Sequence, residues 1–231
     1  MEKVMPDLLQ RHDVVVVSPS AAKRLVQELL PQFNDNRRMM AQPFFQDLGS
    51  LPGIPGIVRR AENPSPELIA VGFVPPGRHE GQRLRIGAFV RAEDILSVVH
   101  PEDILQMAIA PRNACMLLLR DLAIYSREQD WNLGVLGSAG LEIFTGQPYT
   151  DADSDLDLLL PGRSMEKIRQ AMQIIGETAA ARSVPVDVEV RLSNGYGVKA
   201  AELLSSSRMI LGKSKQDVAL LQRQNVLALI G

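Results

Sequence analysis

The sequence predicts an α+β protein: a mixed sheet with flanking helices, preceded by a small mixed α/β N-terminal domain. Three observations lead there. Val14, Val15, Val16 and Val17 form a run of β-branched residues, and residues 184–191 alternate valine with polar side chains, so strand-like stretches occur in both halves of the chain. Met165, Ile168, Met172 and Ile175 recur at three- and four-residue steps, the spacing of a helix that lays one face on a sheet. A chain of 231 residues stands between one large domain and two small ones. The pattern divides it into residues 1–100 and 101–231.

Residues 1–13 read as a short helical start stopped at Arg11-His12-Asp13. A buried strand over 14–17 follows, and Ser18-Pro19-Ser20 then caps a helix whose Leu25, Leu29 and Leu30 share one side, ending before Phe33. Residues 34–65 are irregular, with Leu51-Pro52-Gly53-Ile54-Pro55-Gly56 at their middle, and a stretch of that length is expected to be functional or mobile. It holds two basic pairs, Arg37-Arg38 and Arg59-Arg60, read either as solvated loop charges or as a grip on a polyphosphate. Residues 68–74 and 83–90 read as strands joined by a loop around Pro75-Pro76-Gly77. Residues 92–99 read as helical. Pro101 opens another helix with Glu102 and Asp103 in its first turn, and 112–126 is apolar enough for a buried helix.

The chemistry concentrates in residues 133–160. An apolar run over 133–136 predicts a short buried strand, broken by Gly137-Ser138 before helical residues 139–144. Ser138 is placed to cap that helix, and Gly137 to let the backbone approach a ligand. A turn over 145–154 leads into a strand over 155–160. Strand alternation puts Asp155 and Asp157 on one face and Leu156 and Leu158 on the other. Two neighbouring carboxylates repel each other unless a positive charge lies between them. Mg²⁺ answers this by sitting between one or two carboxylates and the phosphates of a substrate, and a Gly-Ser turn opening a helix offers those phosphates backbone N–H groups and the helix dipole. After the 165–175 helix, the strand at 184–191 turns its valines one way and Asp187 and Glu189 the other. Asn194-Gly195 signals a hairpin, and residues 216–230 read as a closing helix.

Gly137-Ser138 followed by Asp155-Leu156-Asp157 and a third acid on a later strand resembles the nucleotidyltransferase superfamily. The match is closer than that. Gly137-Ser138, Thr145-Gly146, Tyr149 and Ser154-Asp155-Leu156-Asp157-Leu158-Leu159 look like the signature of the phosphoribosyl-dephospho-CoA transferases, the malonate decarboxylase holo-acyl-carrier-protein synthases. Arg11-His12-Asp13 with Ser18-Pro19, and Gly81-Gln82-Arg83-Leu84-Arg85-Ile86, are similar to other parts of that family. Where the family tends to carry Trp near position 141, this chain has Leu141, a difference expected to alter helix packing more than chemistry.

The resemblance implies a nucleotidyltransferase-like catalytic domain over 101–231 and an N-terminal module over 1–100 that binds substrate or carrier. It implies Mg²⁺ held by Asp155, Asp157 and Asp187, with Glu189 as the alternative third acid. Gly137 and Ser138 would hold the donor's phosphates. Glu202 and Lys213 match positions that the family tends to fill likewise, and Lys213 could reach a phosphate. The implied donor is 2′-(5″-triphosphoribosyl)-3′-dephospho-CoA, the acceptor a serine of the apo acyl-carrier subunit of malonate decarboxylase, and the by-product pyrophosphate. The rivals are the same chemistry on a citrate lyase carrier, a small-molecule hydroxyl or a protein side chain, and a non-catalytic scaffold that binds CoA-like ligands or the carrier.

Composition narrows the field. Acids outnumber bases, 27 to 25, which disfavours a nucleic-acid substrate. The single cysteine, Cys115, has no internal disulfide partner and lies in an apolar context, which fits a buried thiol and a cytoplasmic protein. No apolar run reaches membrane-spanning length, and no signal-peptide pattern opens the chain. His12, His79 and His100 are scattered without zinc-ligand spacing, with His79 and His100 expected in exposed loops. The chain has no Walker loop, G-x-G-x-x-G or G-x-S-x-G, which removes P-loop kinases, dinucleotide oxidoreductases and the common serine hydrolases.

Overall fold

A computed structural model describes residues 5–46, 52–61, 67–78 and 81–231; His79 lies outside them. The chain divides into two compact units, one ending at Val99 and the other beginning at His100.

The first unit is a five-stranded antiparallel sheet in the order β4-β3-β2-β1-β5, made of β1 (Val14–Val17), β2 (Ile54–Val58), β3 (Leu68–Phe73), β4 (Ile86–Arg91) and β5 (Ile95–Val99). The run of four valines is fully buried because it lies inside this sheet, between β2 and β5. Two helices, α1 (Pro19–Leu29) and α2 (Asp35–Gln46), bury Ala21, Ala22, Leu25, Ala41 and Phe45 in a core with Val15, Val17, Val71, Phe73 and Ile86 of the strands. Ser18 caps α1 by accepting from the Ala21 N–H, as its position predicts.

Two expectations fail in this unit. The described parts of the stretch expected to be irregular hold helix α2, with Pro43 inside it, and strand β2. Asn34 starts α2 by accepting from the Arg37 N–H at 3.0 Å. Gly56 belongs to β2 because there is no room beside it: a Cβ there would come within 2.4 Å of Val71. Residues 92–99, expected to be helical, form one short 3-10 turn (Ala92–Asp94) and then β5, because Ile95, Val98 and Val99 find their pairing along β1. Three of these four arginines make local contacts. Arg37 lies 5.0 Å from the Phe33 ring centre, Arg38 donates to the carbonyls of Leu30 and Phe33, and Arg59 donates to the Arg60 carbonyl.

The second unit is a six-stranded mixed sheet in the order β11-β10-β9-β8-β7-β6, formed by β6 (Gly134–Val135), β7 (Leu156–Pro161), β8 (Val186–Arg191), β9 (Gly197–Lys199), β10 (Met209–Lys213) and β11 (Val218–Gln222). Only β7 and β8 run parallel, joined by the crossover helix α6 (Met165–Arg182), which Ser164 caps. The remaining helices are α3 (Pro101–Ile104), α4 (Ala114–Glu128), α5 (Gly137–Thr145), α7 (Ala200–Leu204) and α8 (Arg223–Ala228). Asn113 caps α4 at the Met116 N–H, and α4 buries Cys115, Met116, Leu118, Leu119 and Leu122.

The closing helix expected over 216–230 is instead a hairpin, β10–β11, followed by the six-residue α8. Its turn is closed by side chains. The Ser214 hydroxyl accepts from the N–H groups of Gln216 and Asp217, and Tyr196 donates to the Asp217 carboxylate at 2.6 Å. Among the described residues no helix is long and apolar enough to cross a membrane.

Candidate active site

Strand β6, helix α5 and strand β7 meet around Gly137. Leu136 occupies the cap position of α5 and makes no side-chain cap bond, so Ser138 is the helix's second residue and not the cap that its type suggests. Gly137 has φ +59°, in the left-handed region that favours glycine. A Cβ at this position would lie 2.7 Å from Oδ2 of Asp157, so the bare glycine lets the carboxylate reach the start of the helix. A carboxylate there is stabilised by the helix dipole, and a helix start of this kind suits an anion. Gly140, one turn on, would place a Cβ 3.1 Å from the Val135 carbonyl, so α5 packs close against β6.

Asp157 is the second residue of β7, and its carbonyl accepts from the Leu136 N–H at 2.9 Å. Asp155 stands just before the strand and is exposed; its carbonyl accepts from Cys115 Sγ at 3.6 Å. Burial first, then the charge of Asp155, pushes the Cys115 thiol up to about 11, so it is a protonated packing group at neutral pH.

Asp187 is paired with Asp157 across the parallel β7–β8 ladder. Direct register partners present their side chains to the same face, so two acids 30 residues apart in sequence become neighbours. Glu189 lies on that face one row further along, opposite Lys199 of β9. Lys199 reaches diagonally back, and its Nζ donates to Asp187 Oδ2 at 2.7 Å. The hydrogen bond and charge of Asp187, and then the charges of Glu202 and Asp157, hold the Lys199 ammonium above its usual range despite some burial. Lys213 pairs with Gly197, which pairs with Arg191, and this puts Lys213 four residues beyond the Asp187 row, roughly 13 Å along the strand direction. Lys199 is therefore the lysine that the sheet brings to the acids. Glu202 has a structural bond, accepting from the Leu211 N–H at 3.0 Å.

The donor atoms are hard oxygens, and Asp155 and Asp157 supply the one or two carboxylates that Mg²⁺ uses when phosphates complete its shell. The three aspartates do not close into a three-ligand cluster. Among the described residues no group of three or more His, Cys, Asp or Glu side chains is placed to hold a metal ion. Asp187 is turned to Lys199 instead.

Between helix and acids, residues 145–154 are fixed by one buried carboxylate. Glu142 accepts from the N–H groups of Tyr149 and Thr150 at 2.9 and 2.6 Å, from the Thr150 hydroxyl at 2.8 Å and from Arg112 at 3.0 Å. Arg112 donates also to the Thr150 carbonyl, and Asn113 to the Thr150 hydroxyl. The next turn closes on itself, with Ser154 Oγ 2.8 Å from an Asp151 carboxylate oxygen. Burial pushes the Glu142 carboxyl up, but the hydrogen bonds from Arg112 and Thr150 outweigh it and hold the group below its usual range.

Glu142→Gln is expected to lower the unfolding free energy by about 2 kcal/mol, because an amide nitrogen would face N–H donors that need an acceptor. Arg112 is 44% exposed, so solvent keeps the ion pair's own share small. A lowered folded-state pKa stabilises above the unfolded value near 4.5, and that contribution is lost as pH falls through the folded value. Denaturant melts at about pH 7 and pH 3 check both points, with the gap between wild type and variant shrinking at the lower pH.

The sequence singled out Gly137, Ser138, Asp155, Asp157 and Asp187, and missed Lys199, Glu142 and Arg112. Glu142 had a signal, as a lone charge within the apolar helix 139–144. Lys199 had none, since its place depends on the β8–β9 pairing.

Comparison with known proteins follows the same division. The model for the phosphoribosyl-dephospho-CoA transferase MdcG N-terminal domain matches residues 10–101, and that for its C-terminal domain matches residues 103–224. The chain is similar to a phosphoribosyl-dephospho-CoA transferase of Xanthomonas euvesicatoria pv. vesicatoria, 28% identical over 172 residues, covering 74% of this chain and 80% of that protein. It is also similar to one from Pseudomonas fluorescens strain Pf0-1, 31% identical over 171 residues, with 73% and 78% covered. No solved structure matches the chain.

Proposed function

The chain belongs to the phosphoribosyl-dephospho-CoA transferase MdcG family, and from that premise we propose that it moves the phosphoribosyl-dephospho-CoA group of 2′-(5″-triphosphoribosyl)-3′-dephospho-CoA onto a serine of the apo acyl-carrier subunit of malonate decarboxylase. The serine hydroxyl gives up its proton to a carboxylate of the site, its oxygen forms a bond to the α-phosphorus, the α–β phosphoanhydride bond breaks, and pyrophosphate leaves. The observation that supports this reading is the carboxylate of Asp157 lying against Gly137 at the start of α5, with Asp187 in register on the adjoining strand.

In this reading the first turn of α5, at Gly137 and Ser138, receives the phosphates through its N–H groups and orients the donor for in-line attack. Asp155 and Asp157 would hold Mg²⁺ together with the donor's phosphates, and Asp187, which bonds to Lys199, would join them only on leaving that partner. The ion would lower the pKa of the attacking hydroxyl and neutralise the departing pyrophosphate. Glu142 fixes the loop that delivers Asp155 and Asp157, through its bonds to Tyr149 and Thr150. The N-terminal unit binds the dephospho-CoA arm or docks the carrier.

Incubation of the protein with the triphosphoribosyl donor, Mg²⁺ and apo carrier is expected to add the mass of the phosphoribosyl-dephospho-CoA group to the carrier and release one pyrophosphate per group. A parallel arm with the apo carrier of citrate lyase separates the two acceptors. Donor consumption with neither carrier modified would overturn the acceptor assignment.

A further inference from the structure

The ion pair between Lys199 and Asp187 carries an inference that rests on the metal reading above. Lys199 ends β9, and its ammonium is 2.7 Å from the carboxylate that stands in register with Asp157. Both side chains are 51% exposed. A solvent-exposed ion pair of this kind contributes little to fold stability, so holding the sheet together is a poor explanation for it. Its position is better explained by charge. Asp155, Asp157, Asp187 and Glu189 gather negative charge along two neighbouring strands, and Lys199 is the cation that the sheet itself supplies to Asp187.

We propose that Lys199 is a positioning residue that a divalent cation displaces from Asp187, so that the ammonium and the dication compete for one carboxylate. With Lys199 in place Asp187 is neutralised and turned along the sheet toward β9. With Lys199 withdrawn the same carboxylate is available to a dication held by its register partner Asp157. The exchange sets how tightly the site takes its metal, and it leaves a freed ammonium beside the place where phosphates would lie.

The test is Mn²⁺ binding to the full chain, followed by the loss of the free-ion electron paramagnetic resonance signal, for wild type, Lys199→Met, Lys199→Arg, Asp187→Asn and the Lys199→Met/Asp187→Asn double variant. Removing the competing ammonium is expected to tighten Mn²⁺ binding about fivefold, the upper end for an exposed ion pair, while Lys199→Arg stays near wild type. In the Asp187→Asn background the gain from Lys199→Met should vanish, because the shared carboxylate is gone. Unchanged or weaker binding by Lys199→Met overturns the exchange. So does an equal gain with and without Asp187, which would mark a simple effect of net charge. If no form binds Mn²⁺, the metal reading itself falls and the exchange with it; if wild type binds and Lys199→Met matches it, the exchange alone fails.

Discussion

Asp157→Asn is expected to lower kcat/KM by about three orders of magnitude or more while leaving thermal unfolding near wild type. The substitution keeps the shape that packs against Gly137, so a cavity or a clash does not contribute. What it removes is the negative charge. That charge lies beside Asp155 in sequence and Asp187 in register, and relieving repulsion among the three offsets the loss of attraction to Lys199 and to the start of α5. A group kept for stability would show the reverse, with a lower unfolding midpoint and nearly normal turnover. Pyrophosphate release and carrier mass measure the first quantity, and calorimetry the second. Turnover within tenfold of wild type would remove Asp157 from the chemistry.

Gly137→Ala has the next largest expected effect, and it acts through geometry. The added methyl is held in a left-handed backbone conformation, φ +59°, that costs an L-residue about 1–2 kcal/mol. It also arrives 2.7 Å from Asp157 Oδ2, so the carboxylate must swing away. Activity is expected to fall about a hundredfold, since misplacing a reacting group by around 1 Å costs on that order. The unfolding free energy should fall only by the backbone strain. Ser138→Ala is the control. Ser138 does not cap α5, so the phosphate contact, if made by backbone N–H groups, survives loss of the hydroxyl with a change of less than about tenfold. A Ser138→Ala variant as impaired as Gly137→Ala would shift the contact from the main chain to the hydroxyl.

Much of the site is legible in the sequence. Strand, Gly-Ser break, helix, acidic turn and a second strand follow one another within 28 residues, and each is set by local rules. Those rules are apolar alternation, glycine's access to positive φ and the turn preference of Asp, Ser and Pro. The capping rule failed at Ser138 because Leu136 already takes the extended conformation of a cap, with φ −113° and ψ 177°, and the helix begins two residues early. The helix expected over 216–230 failed for a different reason. β11 alternates only between exposed and half-buried positions, and Val218, Ala219, Leu220 and Leu221 are all apolar, so this edge strand carries no alternation of polar and apolar residues that would separate it from a helix.

The sequence by itself determined that Asp155 and Asp157 sit two residues apart at the mouth of a strand, downstream of a glycine able to admit them. It did so because periodicity and turn chemistry act between residues close along the chain. Only the tertiary structure decided that Asp187 lies beside Asp157, that Lys199 reaches it and Lys213 does not, and that Arg112 meets Glu142 and Thr150 across 30 and 38 residues. Those neighbours follow from strand register and helix docking, which are settled by burying a whole core at once, and no short window of sequence carries that information.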